Sequence, residues 1–232
     1  MKMKKQVLLA LFAAVSYSAL YSQSGQVKAG INLANVSVNS NGRVDDANSL
    51  TSFQVGIVGD FDLAGDLITL QPGILFTGKG SKVQRGTSGQ AGYFQQTFNP
   101  RYIEVPVNLV FKAPLGNSSR LFAGAGPYLA VGVGGKTKTE GTRAVLDNYS
   151  IEQDIRFSND DPTTFNQEEG TGLNVVKRFD YGFNGTAGLE GKSIVLGVNY
   201  GLGLAKLQSG TNNNQDNNNK HRVLSFTLGF KF

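Results

Sequence analysis

From Gly25 onward apolar and polar positions alternate. In "GQVKAGINLANV" Val27, Ala29, Ile31 and Leu33 take one side, and Lys28, Gly30 and Asn32 take the other. The same period of two runs through "SFQVGIVGDF", "LITLQPGILF" and "YIEVPVNLVF". It is less clean in "LFAGAGPYLAVGV", and returns in "FDYGFNGTAGLE", "SIVLGVNYGLGL" and "RVLSFTLGFKF". Successive strand residues point to opposite faces, so each segment reads as a strand with one bulky apolar face and one small or polar face. No helical period competes with it. The pattern predicts eight strands of about 10 residues, the length a tilted strand needs to cross a bilayer.

The links between the segments alternate in length. Tight links fall near 64–66, 113–119 and 191–192, whereas 38–51, 79–99, 136–175 and 207–220 are long and polar. Short turns on one rim and long loops on the other are the mark of an up-and-down outer-membrane barrel. Loops of that length without structure are uncommon in compact soluble domains.

Which face meets solvent follows from closure. The smaller face carries many of the chain's 30 Gly together with Lys28, Asp60, Gln71, Glu104, Asn108, Asp180 and Glu190. An eight-stranded barrel has an interior just wide enough for side chains. Lys28, Asp60, Gln71, Glu104, Asp180 and Glu190 are therefore expected to pair with one another and with water and to plug the lumen. No second sheet is left to cover the bulky face, so that face meets lipid. Phe61, Phe111, Phe230 and Phe232 are expected at the turn rim, and Phe53, Phe76 and Phe179 at the loop rim. The predicted fold class is all-β, an eight-stranded antiparallel up-and-down transmembrane β-barrel over residues 23–232. A soluble periplasmic lipid-binding barrel, with its bulky face inside, is the alternative. Pro72, Pro106 and Pro127 fall at similar depth on neighbouring strands, and each removes a ladder donor. They predict a bulge or a local break in hydrogen bonding at that height.

Composition adds an address. Residues 1–22 combine a Lys-rich start, an apolar run from Val7 to Val15 and small residues after it, the build of a secretory signal peptide. Removing Lys2, Lys4 and Lys5 lowers the formal charge from +5 to +2, so the basic balance is mostly a targeting feature and nucleic acid is not an expected partner. There is no Cys, hence neither disulfides nor a Cys-based metal site.

Candidate chemistry is sparse. His221 is the one imidazole, and a rim hydrolase or acyltransferase would need it beside a carboxylate and a Ser. Ser209 and Asp216 lie near it in sequence, but within the Asn-rich "QSGTNNNQDNNNKH", so a solvated rim histidine is the expectation. "GAGPYLAVGVGG" is not followed by a helix and is no phosphate cradle. "SNDDP" and "NQEEG" lack EF-hand spacing. No catalytic residue, cofactor or metal ligand is expected. Loop 79–99 carries Lys79, Lys82 and Arg85 without an acid, and loop 136–175 carries eight acids against four bases. The acidic loop is expected to fold toward the basic one, or to bind cations that bridge lipopolysaccharide phosphates. Ile151, Ile155 and Phe157 suggest that part of it extends the barrel strands.

Five stretches in order carry a family resemblance: "LQPGILFTGKG", "YIEVPVNLVFK", "FAGAGPYLAVG", "KRFDYGFNGTAGLE" and "VNYGLGLAKL", with the terminal "LGFKF". Together, from about Gly25 to Phe232, they resemble the PorT-type outer-membrane β-barrel proteins of Gram-negative bacteria. Gly73 departs from the family pattern, which has an acidic residue after "LQP". The resemblance implies an OmpX-like or OmpA-like barrel in the outer membrane, both ends periplasmic, in contact with membrane lipid and lipopolysaccharide. It implies a non-enzymatic envelope or loop-mediated binding role. The founding member is linked to assembly of the type IX secretion machinery, a role of one branch. The resemblance also implies that Phe226, Leu228, Phe230 and Phe232 form the signal read by the barrel-assembly machinery.

Overall fold

A computed structural model of the protein describes residues 24–37, 49–64, 67–116, 118–142, 147–158, 175–207 and 220–232. The expected signal peptide over 1–22, the stretch "SNDDP" beyond Ser158, the stretch "NQEEG", and Ser209 and Asp216 lie outside the described residues. The strands are β1 (Ser24–Ser37), β2 (Leu50–Asp62), β3 (Ile68–Gly78), β4 (Ser81–Arg85), β5 (Phe94–Pro114) and β6 (Arg120–Thr142). They continue with β7 (Asn148–Asp154), β8 (Arg156–Ser158), β9 (Val175–Lys177), β10 (Phe179–Glu190), β11 (Ile194–Gly203) and β12 (Lys220–Lys231).

Eight of these close a ring in the order β1-β2-β3-β5-β6-β10-β11-β12, every pair antiparallel. The seam between β12 and β1 runs from Ser37↔Lys220 to Gln26↔Lys231, and Phe232 N donates to Gly25 O at 2.9 Å. Closure removes every sheet edge within the ring, which lipid requires because it offers no partner to a backbone group. Parity then does what the sequence pattern predicts. Along β5, Ile103, Leu109 and Phe111 are exposed on the outside while Tyr102, Glu104, Asn108, Val110 and Lys112 are buried inside. The chain forms an all-β, eight-stranded antiparallel transmembrane barrel.

The three prolines interrupt the ladders without shifting their register. Pairing of β2 with β3 stops at Val58↔Gly73 and resumes at Phe61↔Leu70, skipping Pro72. Pairing of β3 with β5 stops at Pro72↔Val107 and resumes at Leu75↔Glu104, skipping Pro106. Pairing of β5 with β6 stops at Leu109↔Ala125 and resumes at Pro106↔Tyr128, skipping Pro127. The register shift lies elsewhere, between Arg101 and Tyr102, opposite Gly132 and Gly134. It exchanges the inward and outward sides of β6 above that height.

The loop rim is more ordered than its sequence suggests. β4, the upper halves of β5 and β6, and β7 form a four-stranded sheet continuous with the barrel wall. The short parallel pair β8–β9 forms its own two-stranded sheet, tied to the wall through Ile155 N to Gly135 O and Gly132 N to Arg178 O, and acts as a strap at the mouth of the barrel. Ile155 and Val176 pack with Val36, Phe98 and Leu207, which belong to different sides of the ring. Phe157 sits over Gly132, where a Cβ would lie 2.1 Å from its ring. It meets Tyr102 edge-on at 5.6 Å.

Candidate functional site

The barrel interior holds the polar groups, arranged in layers below the β8–β9 strap. In the upper layer the Lys79 ammonium lies 2.7 Å from Glu104 Oε2 and 2.9 Å from Asp180 Oδ2. The Tyr128 hydroxyl donates to the same Asp180 oxygen at 3.0 Å, and its ring centroid is 4.1 Å from Lys79 Nζ. Lys79 N donates to Pro100 O, which holds the residue against β5 just beyond the end of β3. Beside it His221 Nε2 and the Tyr102 hydroxyl are 3.2 Å apart.

The middle layer is amide-rich. Lys28 Nζ donates to Asn199 Oδ1 at 2.9 Å, Thr186 donates to the same oxygen, and Asn199 Nδ2 donates to Thr227. Asn184 Nδ2 reaches up to Glu104 at 3.2 Å. A cavity of about 40 Å³ lies here, lined by Lys28, Gln54, Gln71, Asn108, Asn184 and Ser225 among others. One water needs about 10–15 Å³ of such space, so about three would fit. Asn108 Oδ1 is buried there without a protein partner, an acceptor that water would satisfy.

The lower layer is ionic again. Lys112 Nζ lies 2.8 Å from Asp60 Oδ2 and 2.9 Å from Glu190 Oε2, Lys231 bonds the other Glu190 oxygen, and Gln71 Nε2 donates to Asp60 at 2.7 Å. Val110, Phe122 and Val195 pack around it. In these layers, among the described residues, Lys28, Lys79, Lys112 and Lys231 stand with Asp60, Glu104, Asp180 and Glu190. Buried ions persist only when paired and hydrogen-bonded. Here the pairing forms two cross-braces, each tying several strands of the ring together.

All six residues expected inside, Lys28, Asp60, Gln71, Glu104, Asp180 and Glu190, project into the lumen. Lys112 shares the inward parity of Glu104 and Asn108 and joins them in the lumen, as do Tyr102 and Tyr128, and two groups lie elsewhere than their sequence setting implies. Lys79, expected in a basic loop, is only 3% exposed, because β4 continues the line of β3 and keeps Lys79 inside. His221, expected as a solvated rim histidine, is 1% exposed; it shares the inward parity of Val223, Ser225 and Thr227, and that signal was available.

Phe226, Leu228, Phe230 and Phe232 all face outward and are exposed on the bare protein. Two of the four described acids of the long loop are paired within their own hairpin, Glu152 with Lys136 and Glu140 with Lys138 at 2.7 Å. Among the described residues they make no ion pair to Lys82 or Arg85. No group of three or more metal-ligating side chains occurs among the described residues.

Residues 22–209 match the family model described as outer membrane protein beta-barrel domain. Among solved structures, Ail of Yersinia pestis is 13% identical, with 90% of this chain and 98% of that one covered and a TM-score of 0.40. Neisserial surface protein A is 12% identical, covering 90% and 96%, TM-score 0.43. OprG of Pseudomonas aeruginosa is 12% identical, covering 91% and 96%, TM-score 0.39. No curated protein matches the chain.

Proposed function

The chain belongs to the outer membrane protein beta-barrel domain family, and from that premise we propose that it is a closed, non-enzymatic envelope protein that works through its loop-side sheet. Within the family we place it with the PorT-type proteins, on the five stretches ending in "VNYGLGLAKL" and on the terminal "LGFKF". The short turns and both chain ends lie on the periplasmic side, and the sheet of β4, β5, β6 and β7 stands outside the cell.

One observation carries the reading: the lumen is braced at two heights by side chains that solvent does not reach. Lys79 and Asp180 are each 3% exposed, and Lys112 and Asp60 are 4% and 3% exposed. A water-filled pore would hydrate them. The one imidazole, His221, packs against Tyr102 beneath the strap, away from any substrate at the rim, which supports a non-enzymatic role. The specificity then falls to the extramembrane sheet, whose edge strand β7 is largely exposed.

The test has two arms. In planar bilayers the purified protein is expected to give no stepwise conductance, and steady single-channel openings would sink the closed-barrel reading. In crosslinked outer membranes, pull-down of a β7-deleted chain is expected to lose the partners that the full chain retains. An unchanged set of partners would refute the assignment of binding to this sheet.

A further inference from the structure

The outward apolar belt is not equally tall around the ring. A row is one outward position, and the rows run from the first to the last apolar side chain within each strand. By that measure the belt spans four rows on β1, from Val27 to Leu33, and four on β12, from Leu224 to Phe230. It spans five on β2, β3 and β11, and six on β10. It also spans six on β5, from Ile103 to Ala113, and six on β6 below its register shift, from Leu121 to Val131. The two short strands meet at the seam, and β5 and β6 stand directly across the ring from them. Residues beyond the strand ends do not even this out. The Phe232 ring lies over Gly25, where a Cβ would come within 2.8 Å of it, and adds one row to the seam; Leu115, exposed beyond β5, adds one opposite. At the loop rim of the seam the next outward pair in register is polar, Asn35 with Arg222.

A difference of two rows is four residues, about 13 Å of strand and about 10 Å of height at the tilt of such barrels. The β5–β6 face thus presents the usual apolar band of about 25 Å, whereas the seam presents about 15 Å, or about 20 Å with Phe232. Tilting the whole barrel cannot relieve this. A tilt raises the belt on one side and lowers it on the other, but lengthens it on neither. A flat bilayer matched to β5 and β6 would draw Asn35 and Arg222 into hydrocarbon, where polar and charged groups are costly. A lipid leaflet is the softer partner, and it yields to a short apolar span by thinning.

We propose that the β12–β1 seam is a membrane-thinning face, which fits short or disordered acyl chains, while the β5–β6 face sits in bilayer of ordinary thickness. The proposal does not depend on which rim is outside the cell.

The experiment uses the full chain refolded into phosphatidylcholine vesicles, with a small fluorophore on a single introduced cysteine, since the chain has no Cys. Ala29→Cys on β1 and Ala125→Cys on β6 place it near the middle of the short and the tall face, at exposed positions. Quenchers are carried on the lipid headgroups of both leaflets. In long-chain vesicles quenching at Ala29→Cys should be about twofold that at Ala125→Cys, because the headgroups come closer to the seam. Shortening the acyl chains should raise quenching at Ala125→Cys towards that at Ala29→Cys and change the latter little. Heat-modifiable gel migration checks folding. Leu228→Cys and Leu109→Cys, the register partners of Ala29 and Ala125, repeat the comparison if either labelled chain fails to fold. Equal quenching of the two faces in long-chain vesicles would overturn the proposal. So would a seam label that neither headgroup nor acyl-chain quenchers reach, since a second copy of the chain would then cover that face.

Discussion

Replacing Lys79 by Met removes one charge from the upper layer and keeps the length of the side chain. Glu104 and Asp180 then face each other across the lumen without the ammonium that stood 2.7 and 2.9 Å from them. Both carboxylates are buried, so neither can recover its lost partner from bulk water. Breaking a buried pair by deleting one partner costs about 3–5 kcal/mol, most of it the desolvation of the ion left behind. Asp180 keeps the Tyr128 hydroxyl and Glu104 keeps Asn184, which favours the lower part of that range. The assay is a urea titration of protein refolded into lipid vesicles, read by heat-modifiable gel migration. The triple variant Lys79→Met/Glu104→Gln/Asp180→Asn removes all three charges and should recover more than half of the loss. A Lys79→Met barrel within about 1 kcal/mol of the wild type, the range of exposed pairs, would refute the reasoning. It would mean that the upper layer is hydrated and does not brace the strands.

Three further outcomes are expected. Gly132→Ala should expel the Phe157 ring, because the new methyl would lie 2.1 Å from it, and should lower thermal stability; adding Phe157→Ala should return part of the loss, and two independent losses would contradict the contact. Deleting Phe232 should reduce the amount of folded barrel in cells far more than it lowers in vitro stability, since one buried Phe is worth only about 1.5–3 kcal/mol; normal assembly would reduce the ending to a structural one. The Lys136 ammonium holds the Glu152 carboxyl below its ordinary value, so this contribution is present above the usual carboxylate range and is lost as pH falls through the lowered value. Amide exchange in β7 should accordingly be faster in Glu152→Gln than in the wild type near neutral pH, and the two should converge in acid; a difference that persists in acid would show that the pair is not its source.

The alternation of "YIEVPVNLVF" and of the seven segments like it was enough to give the strand count, the closure and the lipid-facing side. Period two assigns every residue of a regular strand to a face, and eight strands with no covering layer leave one way to bury the polar face. Lys28, Asp60, Gln71, Glu104, Asp180 and Glu190 were legible for that reason. Lys112 and His221 were legible too, one step beyond the segments in which parity was applied. Lys79 was not. It follows Gly78 and precedes Gly80, and the sequence there reads as the start of a loop. Whether the next residue still faces inward depends on whether a partner strand continues, and β5 does continue, up to Phe94. Nor could the sequence place the shift between Arg101 and Tyr102, which exchanges the two sides of β6 above Gly132 and sets Lys136 outward. The strap is a third such case: Ile155, Phe157 and Val176 find their apolar partners on strands far away in sequence. Local pattern determines which way a strand faces, whereas only the closed ring determines what its ends touch.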